Sequence, residues 1–143
     1  MVRVASPLRE LSRPRCLDLL ATTCLGRVGV SVRALPVILP VTYAVIGETV
    51  FFRTAPGTKL NAAVHRAVVA FETDRCDPCG DWGWSVLVQG VASEVTDPAL
   101  RAAARALLAP DLPFLDGEAA RLVAIEISLV SGRSFGAIPE DPA

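Results

Sequence analysis

The chain has 143 residues, of which 52% are hydrophobic and 20% charged, with a formal net charge of −1. That length suits one domain (core about 11–133, with short flexible tails) and would crowd two, while the apolar share excludes a disordered chain. Near-neutral charge excludes a basic nucleic-acid face, which needs clustered Lys and Arg. A membrane helix needs about 20 consecutive apolar residues, and the best uncharged run, Ala34 to Gly47, is short and broken by Pro36 and Pro40. The N-terminal segment carries Glu10 and Asp18 and no clean apolar core, so a cytoplasmic protein with no membrane partner is expected. Of the 14 basic residues, only Lys59 is a lysine.

In chain order, Ser12 reads as the N-cap of a first helix with Pro14 in its opening turn. Cys16, Leu17, Leu19, Leu20 and Cys24 supply its apolar stripe, and Gly26 is its expected stop. Leu25–Val32 alternates and predicts a strand whose valines face the core. Leu35–Ile46 is rich in β-formers, but its prolines predict a bulged or edge strand. Thr49–Thr54 is a further strand, Ala55-Pro56-Gly57 a turn, and Thr58–Arg66 a short helix. The apolar run Ala67–Phe71 opens a strand through Thr73, expected to be covered on both faces. A polar loop, Asp74–Gly83, leads into a strand over Trp84–Thr96. Asp97 caps a helix with Pro98 at its first position, running through Leu100, Ala104, Leu107 and Leu108. Pro110–Gly117 reads as loop and Arg121–Leu129 as the last strand. About six strands with three interspersed helices predict a mainly β fold, a small antiparallel barrel with peripheral helices.

Two features carry chemistry. Cys76-Asp-Pro-Cys79 has the spacing of half a zinc site, but Cys16 and Cys24 supply no matching pair, and the following Gly80-Asp81-Trp82-Gly83 reads as loop rather than as the helix a redox motif needs. A surface turn holding two thiols is the expectation, with no bound metal. The second is Val50-Phe51-Phe52-Arg53-Thr54-Ala55-Pro56-Gly57-Thr58-Lys59-Leu60, an apolar strand ending in Arg and Thr before a Pro-Gly turn and a Thr-Lys helix start. Helix N–H groups, two hydroxyls, a guanidinium and an ammonium together suit a phosphate monoester. The segment lacks the Walker A pattern, because Leu60 follows Lys59.

The order of a helix, the G-R-V strand, P-V-I-L-P-V-T-Y, F-F-R-T-A-P-G-T-K-L, V-V-A-F-E, G-W-S-V-L-V-Q-G and a terminal S-G-R resembles the pyridoxamine 5′-phosphate oxidase-like superfamily of flavin-binding split barrels. The resemblance covers about Leu11 to Arg133. It implies a six-stranded antiparallel split β-barrel that forms a homodimer with a cofactor groove between subunits. It implies that Arg53, Thr54, Thr58 and Lys59 hold an FMN phosphate, with Leu60 packed nearby. Val41 and Thr42 would face the isoalloxazine edge, Val41 through its backbone. Trp84 and Gln89 would lie along the groove, and Arg133 would reach the partner's site. The activity implied is oxidoreductase chemistry, a hydride passing to or from a small-molecule substrate, with no catalytic residue assigned. The deazaflavin F420 is the alternative cofactor, and a non-catalytic flavin- or haem-binding protein the alternative role.

Some residues depart from the family pattern. The name-giving oxidases carry a C-terminal Arg and His for the substrate phosphate, without counterpart here, so pyridoxamine phosphate is not the expected substrate. Nitroimidazole-resistance relatives commonly have His where Thr58 stands. The lone histidine, His65, reads as a helix-surface residue.

Overall fold

The computed structural model describes residues 6–55, 59–108 and 121–140, with the side chains of Lys59 and Leu60 not described. The elements run β1 (Arg9–Glu10), α1 (Arg13–Leu20), β2 (Leu25–Val32), β3 (Leu35–Ile46), β4 (Thr49–Thr54), α2 (Lys59–Ala63), β5 (Val68–Cys76), β6 (Gly83–Glu94), α3 (Pro98–Leu107) and β7 (Arg121–Phe135). All strand pairings are antiparallel. The neighbour order β7-β4-β3-β2-β5-β6 closes through a β6–β7 pairing, and β1 adds to the flank of β7. This is the expected six-stranded antiparallel barrel with few helices. Among the described residues, no helix is long and apolar enough to cross a membrane.

Both expected helix starts are present. Ser12 Oγ accepts from the Arg15 N–H at 3.3 Å, and an Asp97 carboxylate oxygen accepts from the Leu100 N–H at 2.9 Å. The first helix ends earlier than expected, at Leu20, so Cys24 is exposed outside it. Ala21 caps it, two β-branched residues, Thr22 and Thr23, come next, and Thr22 Oγ1 donates to the Leu19 carbonyl at 2.7 Å, which closes the last turn. Gly26 is therefore not a helix stop. It lies within β2 beneath the Phe71 ring, where a Cβ would overlap the ring and approach the Glu72 carbonyl to 2.9 Å.

The expectation for Leu35–Ile46 is half right. The strand is not bulged, and its two parts have different neighbours, with Tyr43–Ile46 in register with β4. Residues 35–42 pair β2 alone. The Tyr43 N–H donates to the Cys24 carbonyl, so by strand parity Pro36 and Pro40 turn their missing N–H positions toward the open side, where no ladder bond is lost.

Three further boundaries differ. β5 continues to Cys76, which shortens the loop to 77–82. β6 ends at Glu94 rather than Thr96, and β7 runs on through Ser131-Gly132-Arg133 because β6 pairs with it along that length. A one-residue offset at Gln89/Gly90 absorbs Ser128, and the Gly90 backbone there leaves no room for a Cβ against the Glu126 carbonyl. The apolar run in β5 is not covered on both faces. Val69 and Phe71 are buried, whereas Val68 is 75% exposed. The loop expected over Pro110–Gly117 lies outside the described residues.

The barrel interior holds Val28, Val30, Val41, Tyr43, Val50, Phe52, Phe71, Trp84, Val86, Val88, Val123 and Ile125, closed at one end by Cys16, Leu19 and Leu20 of α1. A second, smaller cluster lies outside the barrel wall. There Ala44, Phe51, Leu122 and Ala124 pack with Val95 and with Ala104 and Leu108 in and after α3. The outer face of β2, β5 and β6 has no such cover. Its central row, in register, is Ile38–Gly29–Ala70–Gln89–Leu129, with Ile38 and Leu129 both strongly exposed.

Candidate functional site

The strand period sorts the expected cofactor residues before any ligand is considered. On β3, Val41 and Tyr43 point into the barrel, so Thr42 points out; on β4, Phe52 points in, so Arg53 points out. The Tyr43–Phe52 pairing, continued by one step, sets Thr42 beside Arg53, and Arg53 is itself in register with Leu122 of β7. The two residues therefore lie together at the margin of the α3-covered cluster. Thr42 is 2% exposed, and its Oγ1 has no hydrogen-bond partner among the described residues. A buried hydroxyl without a partner costs about 1–3 kcal/mol. It marks a position where a polar ligand atom would be favoured.

Thr54 takes a different place. Parity turns it inward with Phe52, it is buried, and its hydroxyl donates to Asn61 Oδ1 at 2.9 Å. That bond ties the end of β4 to α2. Asn61 is the residue that sequence reasoning missed; its signal was an amide two positions beyond Lys59, within reach of a strand-end hydroxyl. Thr58 lies outside the described residues, as do the side chains of Lys59 and Leu60. The helix expected over Thr58–Arg66 spans only Lys59–Ala63. Val64–Arg66 form a turn, with Arg66 at φ +52°, so His65 is exposed on a turn rather than on a helix. So short a helix carries little macrodipole. Next to it opens a 340 Å³ cavity lined by Asn61, Val64, His65, Glu94, Arg121 and Val123. Arg121 bonds Glu94 across its mouth at 3.4 Å.

The remaining expected residues lie on β6 and β7. Trp84 is buried in the barrel core at 4% exposure. Gln89 is exposed in the uncovered outer row, and Arg133 is exposed opposite Ser85. Arg133 lines a separate 390 Å³ cleft with Arg75, Trp84 and Phe135. Within one subunit the structure brings together Thr42 and Arg53, with Val41 and Thr54 behind them. Trp84, Gln89 and Arg133 stand apart from that pair along the sheet.

The other buried polar group of note is closed on itself. Tyr43 donates to the Leu20 carbonyl, Thr23 Oγ1 lies 2.7 Å from the Tyr43 hydroxyl and 2.9 Å from Thr73 Oγ1, and Thr73 donates to the Leu25 carbonyl at 2.9 Å. Burial pushes the Tyr43 hydroxyl up from its ordinary pKa. On the outer face of β5, Glu72 shares Arg27 with Asp74, at 2.9 and 3.6 Å. Partial burial and then the neighbouring Asp74 carboxyl push Glu72 up to about 7, against the pull of Arg27.

The family model for pyridoxamine 5′-phosphate oxidase matches residues 12–134. The chain belongs to that family. The match spans every strand of the barrel and the Thr42–Arg53 pair. Among curated relatives, an uncharacterised Mycobacterium tuberculosis protein, Rv0080, is 39% identical over 128 residues, covering 86% of this chain and 82% of that protein. Among solved structures, an FAD-binding protein from Mycobacterium smegmatis is 34% identical with a TM-score of 0.71, over 90% of this chain and 99% of that one. A conserved protein of unknown function from Corynebacterium diphtheriae is 31% identical with a TM-score of 0.72, over 90% and 98% of the two chains. The barrel of this family member is thus shared along nearly its whole length with proteins of similar size.

Proposed function

We propose that this family member binds a flavin nucleotide on the outer barrel face at Thr42 and Arg53, and uses it as an oxidoreductase. The single observation that carries this reading is the buried Thr42 hydroxyl, without a partner among the described residues, beside Arg53. A polar ring edge would satisfy the hydroxyl, and Arg53 and Lys59 supply the positive charge a phosphate needs. When bound, a flavin supplies two-electron hydride chemistry, so the chain itself needs to bind, orient and shield rather than to provide an acid–base pair. FMN satisfies the clamp with its terminal phosphate. FAD shares the same ribityl phosphate, and the M. smegmatis relative described as FAD-binding supports a flavin in either form.

The uncovered outer face supports a homodimer. Ile38, Val68 and Leu129 are each at least 65% exposed there, around a row flattened by Gly29, and Gln89 lies in its midst. Such a patch is what an isologous subunit contact buries. A dimer would carry Gln89 into the interface and turn the partner's groups toward the groove. Light scattering should give twice the chain mass; a monomer would remove the shared groove from the account.

Binding is tested by titrating the purified protein with FMN, FAD and F420 separately and following ligand fluorescence. Either flavin should bind, and Lys59→Ala should weaken it by about 1.5–3 kcal/mol, the range for a charged hydrogen bond. An unchanged affinity would remove Lys59 from the site, and preference for F420 would replace flavin by the deazaflavin.

A further inference from the structure

The tip of the β5–β6 hairpin carries chemistry that cofactor binding does not use. Cys76 ends β5 in register with Gly83, and Cys79 lies in the connecting turn. Both are exposed and neither is in a disulfide. Asp77, between them, accepts from both. The Cys76 thiol donates to the Asp77 carbonyl at 3.4 Å, and the Gly80 N–H, on the atom directly following Cys79, donates to that same oxygen at 2.8 Å. The Asp77 carboxylate holds the turn from the other side, accepting from the Cys79 and Asp81 N–H groups at 3.1 and 3.2 Å. The Asp77 N–H donates to the Trp82 carbonyl at 3.0 Å and closes the base of the loop. The loop is thus fixed at its base, with the Cys76 sulfur bonded to the Asp77 carbonyl and the Cys79 N–H to the Asp77 carboxylate.

We propose that Cys76 and Cys79 form a reversible dithiol–disulfide couple that exchanges with low-molecular-weight disulfides. One thiolate attacks a sulfur of the small disulfide RSSR; the S–S bond breaks, a protein–SR mixed disulfide forms, and one RS⁻ leaves and takes a proton. The second thiolate attacks the protein sulfur of that mixed disulfide, the Cys76–Cys79 bond forms, and the second RS⁻ leaves and is protonated. The protein loses two hydrogens and two electrons, and RSSR becomes two RSH. Three properties of the site suit exchange rather than structural bridging. Both cysteines are exposed residues that a small reagent can approach. Closing so short a loop restrains little of the unfolded chain, so the bond adds little stability that would resist its reduction. Neither cysteine belongs to the buried core, although Trp82 of the same loop packs against it.

Two other cysteines provide controls. Cys24 is exposed and is replaced by Ser in the test background, and Cys16 is fully buried, so its protection reports that the barrel stays folded. The Cys24→Ser protein is incubated with glutathione disulfide, the remaining thiols are alkylated, and intact and digested mass is measured. The expected product is lighter by two hydrogens, carries no glutathione, has both tip thiols blocked to alkylation and regains them with dithiothreitol. Cys76→Ser and Cys79→Ser should each stop at the mixed disulfide and hold one glutathione on the remaining tip thiol. The proposal is overturned if the parent protein keeps both tip thiols free or takes up a glutathione on each. It is equally overturned if the single variants acquire no adduct.

Discussion

Two groups of buried hydroxyls sit on the same barrel and meet opposite fates. At the α1 end, Tyr43, Thr23 and Thr73 pass hydrogen bonds to one another and end on the Leu20 and Leu25 carbonyls. A strand's width away, Thr42 is buried just as deeply on the outer face and bonds to nothing among the described residues. Where the fold needs a hydroxyl for itself, it supplies every partner. The exception stands next to Arg53, in the segment whose composition suits a phosphate. The contrast separates residues that hold the barrel together from a buried hydroxyl with no partner among the described residues.

The contrast is open to direct challenge. The largest effect should come from removing the floor of the closed network. Phe71 is fully buried, lies 4.7 Å from the Tyr43 ring in an edge-on arrangement and fills the space over Gly26. Phe71→Ala should cost about 3–5 kcal/mol in denaturant unfolding, and a loss below about 1 kcal/mol would show that this end tolerates a void. Next, Tyr43→Phe keeps the ring but strands the Leu20 carbonyl and unbalances Thr23. A loss of about 1–3 kcal/mol is expected in the same measurement.

Thr42→Val should behave in the opposite way. It removes a hydroxyl with no partner, so the ligand-free protein should be unchanged or stabilised by up to about 1 kcal/mol, while flavin affinity should fall by about 0.5–1.5 kcal/mol. A destabilised variant with normal flavin binding would make Thr42 another structural hydroxyl and erase the distinction. The smallest effect concerns Glu72, half-buried on the β2–β5 face. Its folded pKa lies above its unfolded one, about 7 against 4.5, so the folded state binds the extra proton. The stability this contributes is fully present below pH 4.5 and is lost as pH rises through 7. Solvent reaching the carboxyl keeps the slope shallow. Glu72→Gln should flatten it, and a slope of the opposite sign in the parent would show that the Arg27 pairing dominates.

Much of the fold was legible because its signals are local. Ser12 and Asp97 each placed a cap, and alternation placed the valine face of β2. What was not legible depends on neighbours distant in sequence. Which neighbour each part of Leu35–Ile46 takes is decided by where β2 and β4 begin and end, and the strand turned out to pair β2 along residues 35–42 and β4 along residues 43–46. An apolar run such as Val68–Phe71 reads alike whether a helix or a second subunit lies over it. Ser131-Gly132-Arg133 has little strand propensity of its own and is held by pairing with β6. For the site, Arg53 and Thr42 were both singled out from sequence, but their adjacency needed the β3–β4 register. Parity from Phe52 already turned Thr54 inward, a signal present in the sequence that composition alone did not exploit.

The central claim is that the outer face at Thr42 and Arg53 holds a flavin. The most direct measurement compares parent and Thr42→Val proteins in parallel FMN and FAD titrations, with thermal melting of the same ligand-free samples. The account predicts flavin binding by the parent, weaker binding by the variant, and a variant melting temperature equal to or above the parent's. Equal flavin affinity in the two proteins, or no binding of either flavin by the parent, would contradict it.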